Sequence, residues 1–207
     1  MCGRYTLRCA DESELLGAFP FAEISETRIR FRPRYNIAPG QSNPLLHLRE
    51  GRPVLEEGLW GFSRRGGGVV VNARSESAAK TAMFRDAFSE GRCLVPADGF
   101  FEWRREGSVN QPYLFENADG GLFLMAGLWE RGRYVVLTQA ASDEVREIHD
   151  RMPVLLAPQA ARRWLDDAEI GEGISLKRRA VSTRVNRVEH DDPRCVEDVA
   201  QEGFEFE

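Results

Sequence analysis

Residues 113–138 read YLFENADGGLFLMAGLWERGRYVVLT, and this stretch decides the fold class. Three apolar runs, 113–116, 122–129 and 134–138, are parted by turn signals at 118–121 and at Arg131-Gly132. Short runs rich in aromatic and branched side chains, bounded by Gly, Asn and Asp, predict strands, here three in a meander. The same signal extends outward. Residues 45–49 and 54–57 predict a hairpin around Glu50-Gly51-Arg52. Residues 93–95 and 100–104 predict strands bent by Pro96-Ala97-Asp98-Gly99, residues 69–71 a buried strand ending at Asn72, and residues 179–185 a last strand. Helical patterns are few: a capped start at Asp11 with Glu14, then residues 75–90 ending at Gly91, 142–148 and 158–167. Pro33 and Pro39 make residues 31–40 a loop. No repeat or linker divides the chain. The pattern predicts one α+β domain over residues 2–188, mainly antiparallel strands curled into a barrel-like sheet with flanking short helices, followed by an acidic, solvated tail over 189–207.

The totals exclude several classes. A chain of 207 residues with 42% hydrophobic and 29% charged residues can bury one large core. No apolar run reaches membrane-spanning length, and the first residues hold Arg4, Arg8, Asp11 and Glu12 instead of an apolar leader, so a cytoplasmic protein is expected. Cys2, Cys9, Cys93 and Cys195 form no CxxC pair, and only His47, His149 and His190 accompany them. Neither a metal site nor a disulfide framework is expected, and no cofactor is implied. The net charge of −5 argues against a generic nucleic-acid binder. It is unevenly spread: residues 1–105 carry 16 basic against 13 acidic residues, and residues 106–207 carry 12 against 20.

The most reactive group is at the start, Met1-Cys2-Gly3-Arg4. Initiator Met is removed before a small residue, which leaves Cys2 as the expected first residue. A terminal Cys joins an α-amine and a thiol on adjacent carbons, a pair that condenses with an aldehyde to an imine and then closes a thiazolidine. An α-amine titrates near ~7.7–8.0 against ~10.4 for lysine, so at neutral pH it is far more often the free nucleophile. The thiol, near ~8.5, is a few per cent thiolate unaided. Three other segments hold chemistry at strand ends or loops: Asn72-Ala73-Arg74-Ser75-Glu76, Asp98-Gly99-Phe100-Phe101-Glu102-Trp103 and His149-Asp150-Arg151-Met152-Pro153. Alone, each has an ordinary reading as a turn former, an ion pair or a solvated histidine.

Together with Cys2, with Arg34-Tyr35-Asn36-Ile37-Ala38-Pro39-Gly40 and with Trp60-Gly61-Phe62, these blocks resemble the SRAP family, the SOS-response-associated peptidase or abasic-site processing proteins. They follow the family's order from Cys2 to about Asn186. The resemblance implies recognition of an abasic site in single-stranded DNA by a monomer, nucleoid-associated when bound, and covalent attachment through the mature N-terminal Cys2. It implies Glu102 as proton shuttle, Asn72 holding the sugar and the N-terminus, and His149 as a second donor or positioning group. Arg4, Arg74 and Arg151 fall on positions expected to touch phosphates, and Trp60 and Phe62 on positions expected to stack against bases. The stretch between Phe62 and Asn72 is shorter than is usual in the family, and Arg64 and Arg65 contribute there by charge alone. Two alternatives stay open: a cysteine peptidase or N-terminal-nucleophile hydrolase using Cys2, His149 and Glu102, and a non-enzymatic single-strand binding module.

Overall fold

A computed structural model describes residues 2–199 apart from 21, 25, 65 and 172. Most of the expected strands are there, arranged in two main sheets and one short hairpin. Three expectations are corrected: residues 31–40, read as a loop because of Pro33 and Pro39, hold the strand Arg34–Ile37 between those prolines; the last strand is Leu176–Ala180, and Thr183–Asn186 is a 3-10 turn; and Val69–Val70, expected buried, is exposed at Val69 and forms the short hairpin with Phe62–Ser63. The first sheet has the order Leu176–Ala180, Val109–Asn117, Gly99–Glu106, Tyr5–Leu7, Arg34–Ile37, every pair antiparallel. The second runs Arg151–Pro153, Arg133–Ala140, Phe123–Glu130, Arg92–Ala97, Ser42–Arg49, Arg52–Trp60, Glu26–Arg28. It curls back on itself, because Arg133 and Tyr134 also pair in parallel with Leu59 and Trp60. The strand Asn72–Arg74 joins this same seam, parallel to Val136, Leu137 and Thr138.

The hairpin between Ser42–Arg49 and Arg52–Trp60 turns on Glu50 (φ 52°) and Gly51 (φ 76°), a two-residue loop whose left-handed residues match the twist of the strands. Further expectations change. The meander is split: Val109–Asn117 belongs to the first sheet, and residues 118–121 carry the chain across to Phe123–Glu130 in the second. Similarly, Arg92–Ala97 and Gly99–Glu106 are successive lengths of one path that leaves the second sheet at Asp98 and enters the first. The helix expected over 75–90 is two short ones, Ser75–Ala78 and Arg85–Glu90. The Thr81 hydroxyl donates back to the Ser77 carbonyl at 2.9 Å, which competes with helical continuation.

The main core, with Trp60, Trp164, Tyr5 and Tyr134 fully buried, includes residues of both sheets. A second cluster on the other face of the first sheet holds Phe101, Leu114, Val181, Val185 and Cys195. That cluster corrects the reading of the acidic end. Residues 189–199 are docked on the domain: Asp191 accepts from the backbone N–H of Tyr35 (2.7 Å) and of Asn36 (3.0 Å) and pairs with Arg34. Asp192 pairs with Arg184, and Cys195 is buried. Asp191, which composition marks as solvated, finds its arginine and backbone N–H partners 155 to 157 residues away in sequence, and Asp192 finds Arg184 eight residues away. Residues 200–207 of the expected tail lie outside the described residues.

Candidate functional site

The strand Tyr5–Leu7 places the start of the chain. Tyr5 pairs with Phe100, and the Phe101 N–H donates to the Arg4 carbonyl at 3.0 Å. Continued by two residues, this register sets Gly3 across from Glu102. Asp98 pins the other end of the short strand. Its carboxylate accepts from the Thr6 hydroxyl, the Arg8 backbone N–H and the Arg8 guanidinium, and its own N–H donates to the Thr6 carbonyl.

Asn72 reaches the same place from the second sheet. Its side-chain N–H donates to the Cys2 carbonyl at 2.8 Å, a contact spanning 70 residues of sequence. The Asn72 Oδ1 is buried and has no hydrogen-bond partner among the described residues. Cys2 is itself fully buried, with its thiol 3.8 Å from the Arg4 carbonyl. Burial pushes the thiol pKa well up and the nearby Glu102 carboxylate adds to this, so the few per cent of thiolate expected of a free cysteine does not apply here. Glu102, 2% exposed, is pushed up to about 7, mainly by burial, with Asp150 adding and the positive amino terminus opposing. At neutral pH it is therefore partly protonated. His149 is partly exposed, and its pKa is lowered by burial and then by the amino-terminal charge. Its Nδ1 accepts the Arg151 backbone N–H at 3.0 Å and lies 3.0 Å from the Asp150 carboxylate as well.

The raised Glu102 pKa has a consequence for stability. Folding favours the protonated acid, so its contribution is complete below the ordinary carboxylate range near 4.5 and is lost as pH rises through about 7. The span corresponds to roughly 3 kcal/mol. Glu102→Gln is expected to flatten this dependence, so that the variant gains on the wild type between pH 5 and pH 8. Urea midpoints at the two pH values measure it, and parallel shifts in both proteins would contradict it.

The aromatic and cationic expectations divide. Trp60 is corrected from a base-stacking residue to a core one. Its ring is fully buried between Tyr5 and Tyr134, with centroids at 5.2 and 6.1 Å, and its indole N–H donates to the Val71 carbonyl at 2.9 Å. It therefore fixes the residue before Asn72 and offers no face to a ligand. Phe62 is 5% exposed against Phe84, and lines a surface pocket of about 800 Å³ with Arg64, Met83 and Arg133. Arg4 is held within the fold: Nη1 donates to the Asn36 Oδ1 and the Val185 carbonyl at 2.8 and 2.7 Å. Arg151 is paired with Glu76 through both Nη atoms. Arg74 is the exposed guanidinium of the three expected at phosphates.

Sequence reading assigned no role to Asp98 or Glu76, although both stand in the quoted blocks. Their partners, Arg8 and Arg151, lie 90 and 75 residues away, and no local pattern links them. Among the described residues no group of three or more His, Cys, Asp or Glu is placed to hold a metal, and no helix is long and apolar enough to cross a membrane.

The sequence profile of the family described as SOS response associated peptidase (SRAP) matches residues 1–188. The chain belongs to the SRAP family. Among its SRAP relatives, abasic site processing protein YedK of Escherichia coli is 34% identical over 221 residues, covering 100% of this chain and 98% of YedK. Abasic site processing protein YoaM of Bacillus subtilis is 32% identical, covering 80% and 79%. Abasic site processing protein HMCES of Gallus gallus is 31% identical, covering 81% of this chain and 66% of its own length. A phage-related protein of Bordetella bronchiseptica has a similar structure, with a TM-score of 0.70 at 29% identity over 87% of this chain and 94% of that one. A protein of Bacteroides thetaiotaomicron shares the fold with a TM-score of 0.75 at 19% identity, over 96% and 100%. In this chain Asn72 holds the Cys2 carbonyl, Glu102 and His149 feel the charge of the amino terminus, and Asn36, Asp98 and Trp60 hold the surrounding frame.

Proposed function

We propose that this protein processes abasic sites in single-stranded DNA in the DNA damage response, by capturing the ring-opened sugar covalently on Cys2 once Met1 is removed. One observation carries the reading: a side-chain amide grips the Cys2 carbonyl beside a buried carboxyl poised near neutrality. The free α-amine of Cys2 adds to the C1′ aldehyde, and protonated Glu102 gives its proton to the departing hydroxyl, so that water leaves and an iminium forms. Sulfur then bonds to C1′, its proton passes to a base and the C=N electrons return to nitrogen, closing a thiazolidine. The net change is the loss of one water. Because burial holds the thiol protonated, the amine acts first and sulfur second. Asn72 fixes the Cys2 backbone, His149 is a donor for the sugar or its phosphate, and Arg74 supplies the exposed charge for the strand.

The peptidase alternative is disfavoured by the same burial, since a cysteine nucleophile in such an enzyme is activated by a lowered thiol pKa. An iminium also acidifies the C2′ protons, so strand cleavage by β-elimination competes until the ring closes.

The test uses protein whose intact mass verifies loss of Met1, mixed with an oligonucleotide bearing one abasic site. A band that survives denaturing electrophoresis, with the sugar mapped to residue 2, is expected. Absence of that band, or an adduct on Lys80 or Lys177 instead, overturns the proposal.

A further inference from the structure

The acidic end of the chain carries a cationic surface. Across residues 184–194 two acids are taken up by partners. The Asp191 side chain is 14% exposed and is engaged by Arg34 and by the Tyr35 and Asn36 N–H groups. Asp192 is held by Arg184 through Nε and Nη2. The arginines turn outward. The Arg194 side chain is 62% exposed and comes no nearer to Asp192 than 3.9 Å. Arg187 is exposed, and its guanidinium has no ion-pair partner among the described residues.

These three arginines, with Thr183 and His190, line a surface pocket of about 620 Å³. Asp192 offsets Arg184, and Glu197, also in the lining, offsets one more, so the pocket keeps a charge of +1 in a chain of formal charge −5. Its lining side chains are all polar. It therefore offers guanidinium and hydroxyl donors to an oxyanion and no apolar floor to a base.

Two direct bonds tie the pocket to the capture site. Trp103, the residue after Glu102, donates its indole N–H to Asn186 Oδ1 at 2.7 Å, and Asn186 lines the pocket. Arg4, two residues after Cys2, donates Nη1 to the Val185 carbonyl at 2.7 Å. The Arg4 guanidinium also lies over the Trp103 ring, 5.9 Å from its centroid. A strand captured at Cys2 runs on past it with a phosphate at every nucleotide, and a path over Arg4 and Trp103 leads to this pocket.

We propose that the pocket binds a phosphodiester of the captured strand beyond the abasic residue, with Arg187 and Arg194 as its ligands and Arg184, fixed by Asp192, as the third donor. This rests on the capture reading and adds a contact that reading does not contain. Inorganic phosphate shares the same chemistry, and the test separates the two sources.

Non-covalent affinity is measured over a range of salt for single-stranded oligonucleotides with all their bases, from about 4 to about 16 nucleotides, the range of single-strand site sizes. On the longest, the double variant Arg187→Gln with Arg194→Gln is expected to bind several-fold more weakly at low salt, with a log–log slope shallower by about 0.7 for one lost phosphate. On the shortest, which does not span from Cys2 to the pocket, it should bind as the wild type does. Arg187→Lys with Arg194→Lys should restore most of the slope, because the charge is kept. The control Arg30→Gln with Arg52→Gln removes the same charge from the exposed edge of the second sheet and should leave the slope as it is. An unchanged slope on the longest oligonucleotide, a loss that is equal at every length, or an equal loss in the control each overturn the proposal. So does inorganic phosphate that binds the wild type and not the double variant while the slopes stay equal, since the pocket then serves the free ion. Should the wild type trap no abasic strand, the capture reading fails, while the slopes still decide whether the pocket holds a phosphodiester.

Discussion

Cys2→Ser is expected to turn a crosslink that survives heat and denaturant into a transient one, lowering the persistent adduct on the order of tenfold or more, with strand cleavage rising in its place. Serine keeps the α-amine, so the first half of the reaction proceeds to the iminium. What is lost is the sulfur, tethered two carbons from the nitrogen and thus present at a high effective concentration for ring closure. A hydroxyl is the poorer nucleophile toward the iminium carbon and gives a less stable ring. The iminium then waits, its C2′ protons remain acidic, and β-elimination breaks the strand. The assignment is checked by adding borohydride, which reduces the iminium to a stable amine. The serine variant should then regain a denaturation-resistant band, with the sugar mapped to residue 2. Lys80 and Lys177 are the only lysines in the chain, so misassignment is easily seen. An adduct from Cys2→Ser as durable as that of the wild type, without borohydride, would rule out ring closure as the source of stability.

The sequence was most legible where periodicity or a local signal sufficed. The 113–138 pattern marks strands, and Glu50-Gly51 marks a hairpin, because backbone preferences act over a few residues. Which strands pair is a different question. Residues 118–121 look like a hairpin turn and instead cross between sheets, since a turn signal gives a change of direction and not a partner. The site divides in the same way. Of Cys2, Asn72, Glu102 and His149, which motif and chemistry single out, the fold brings Asn72 within 2.8 Å of the Cys2 carbonyl. The place of Trp60 was not legible, because an aromatic beside a glycine looks alike whether its ring meets a base or is sandwiched by Tyr5 and Tyr134. The internal partners of Arg4 and Arg151 were hidden for a related reason. A guanidinium has five donors, and which of them meet internal acceptors is a tertiary fact, as Asn36, Val185 and Glu76 show. Asp191 and Asp192 likewise look like tail charges until Arg34 and Arg184 are placed beside them.

Glu102→Gln should slow trapping by about 10²–10⁴-fold while leaving single-strand affinity unchanged. The glutamine keeps the shape and the burial but has no acidic proton to give to the departing hydroxyl. The pH dependence makes the assignment specific. As pH rises toward ~7.7–8.0 the α-amine loses its proton and attack quickens. As pH rises through about 7, Glu102 loses the proton it must donate, and expulsion of water slows. The wild-type profile is therefore a low, broad maximum near neutrality, reporting macroscopic constants of the pair because the two charges interact. Without the acid the descending limb should vanish, leaving a slow reaction that only rises with pH. A purely structural Glu102 predicts something else: weaker binding, an unchanged profile and a less stable protein. The environment of this carboxyl argues the reverse for stability. A buried acid held near neutrality is strained when ionised, so replacing it should strengthen the fold at pH 8 while removing the chemistry. A variant that is slower in trapping and harder to unfold identifies a group kept for its reactivity at a cost in stability.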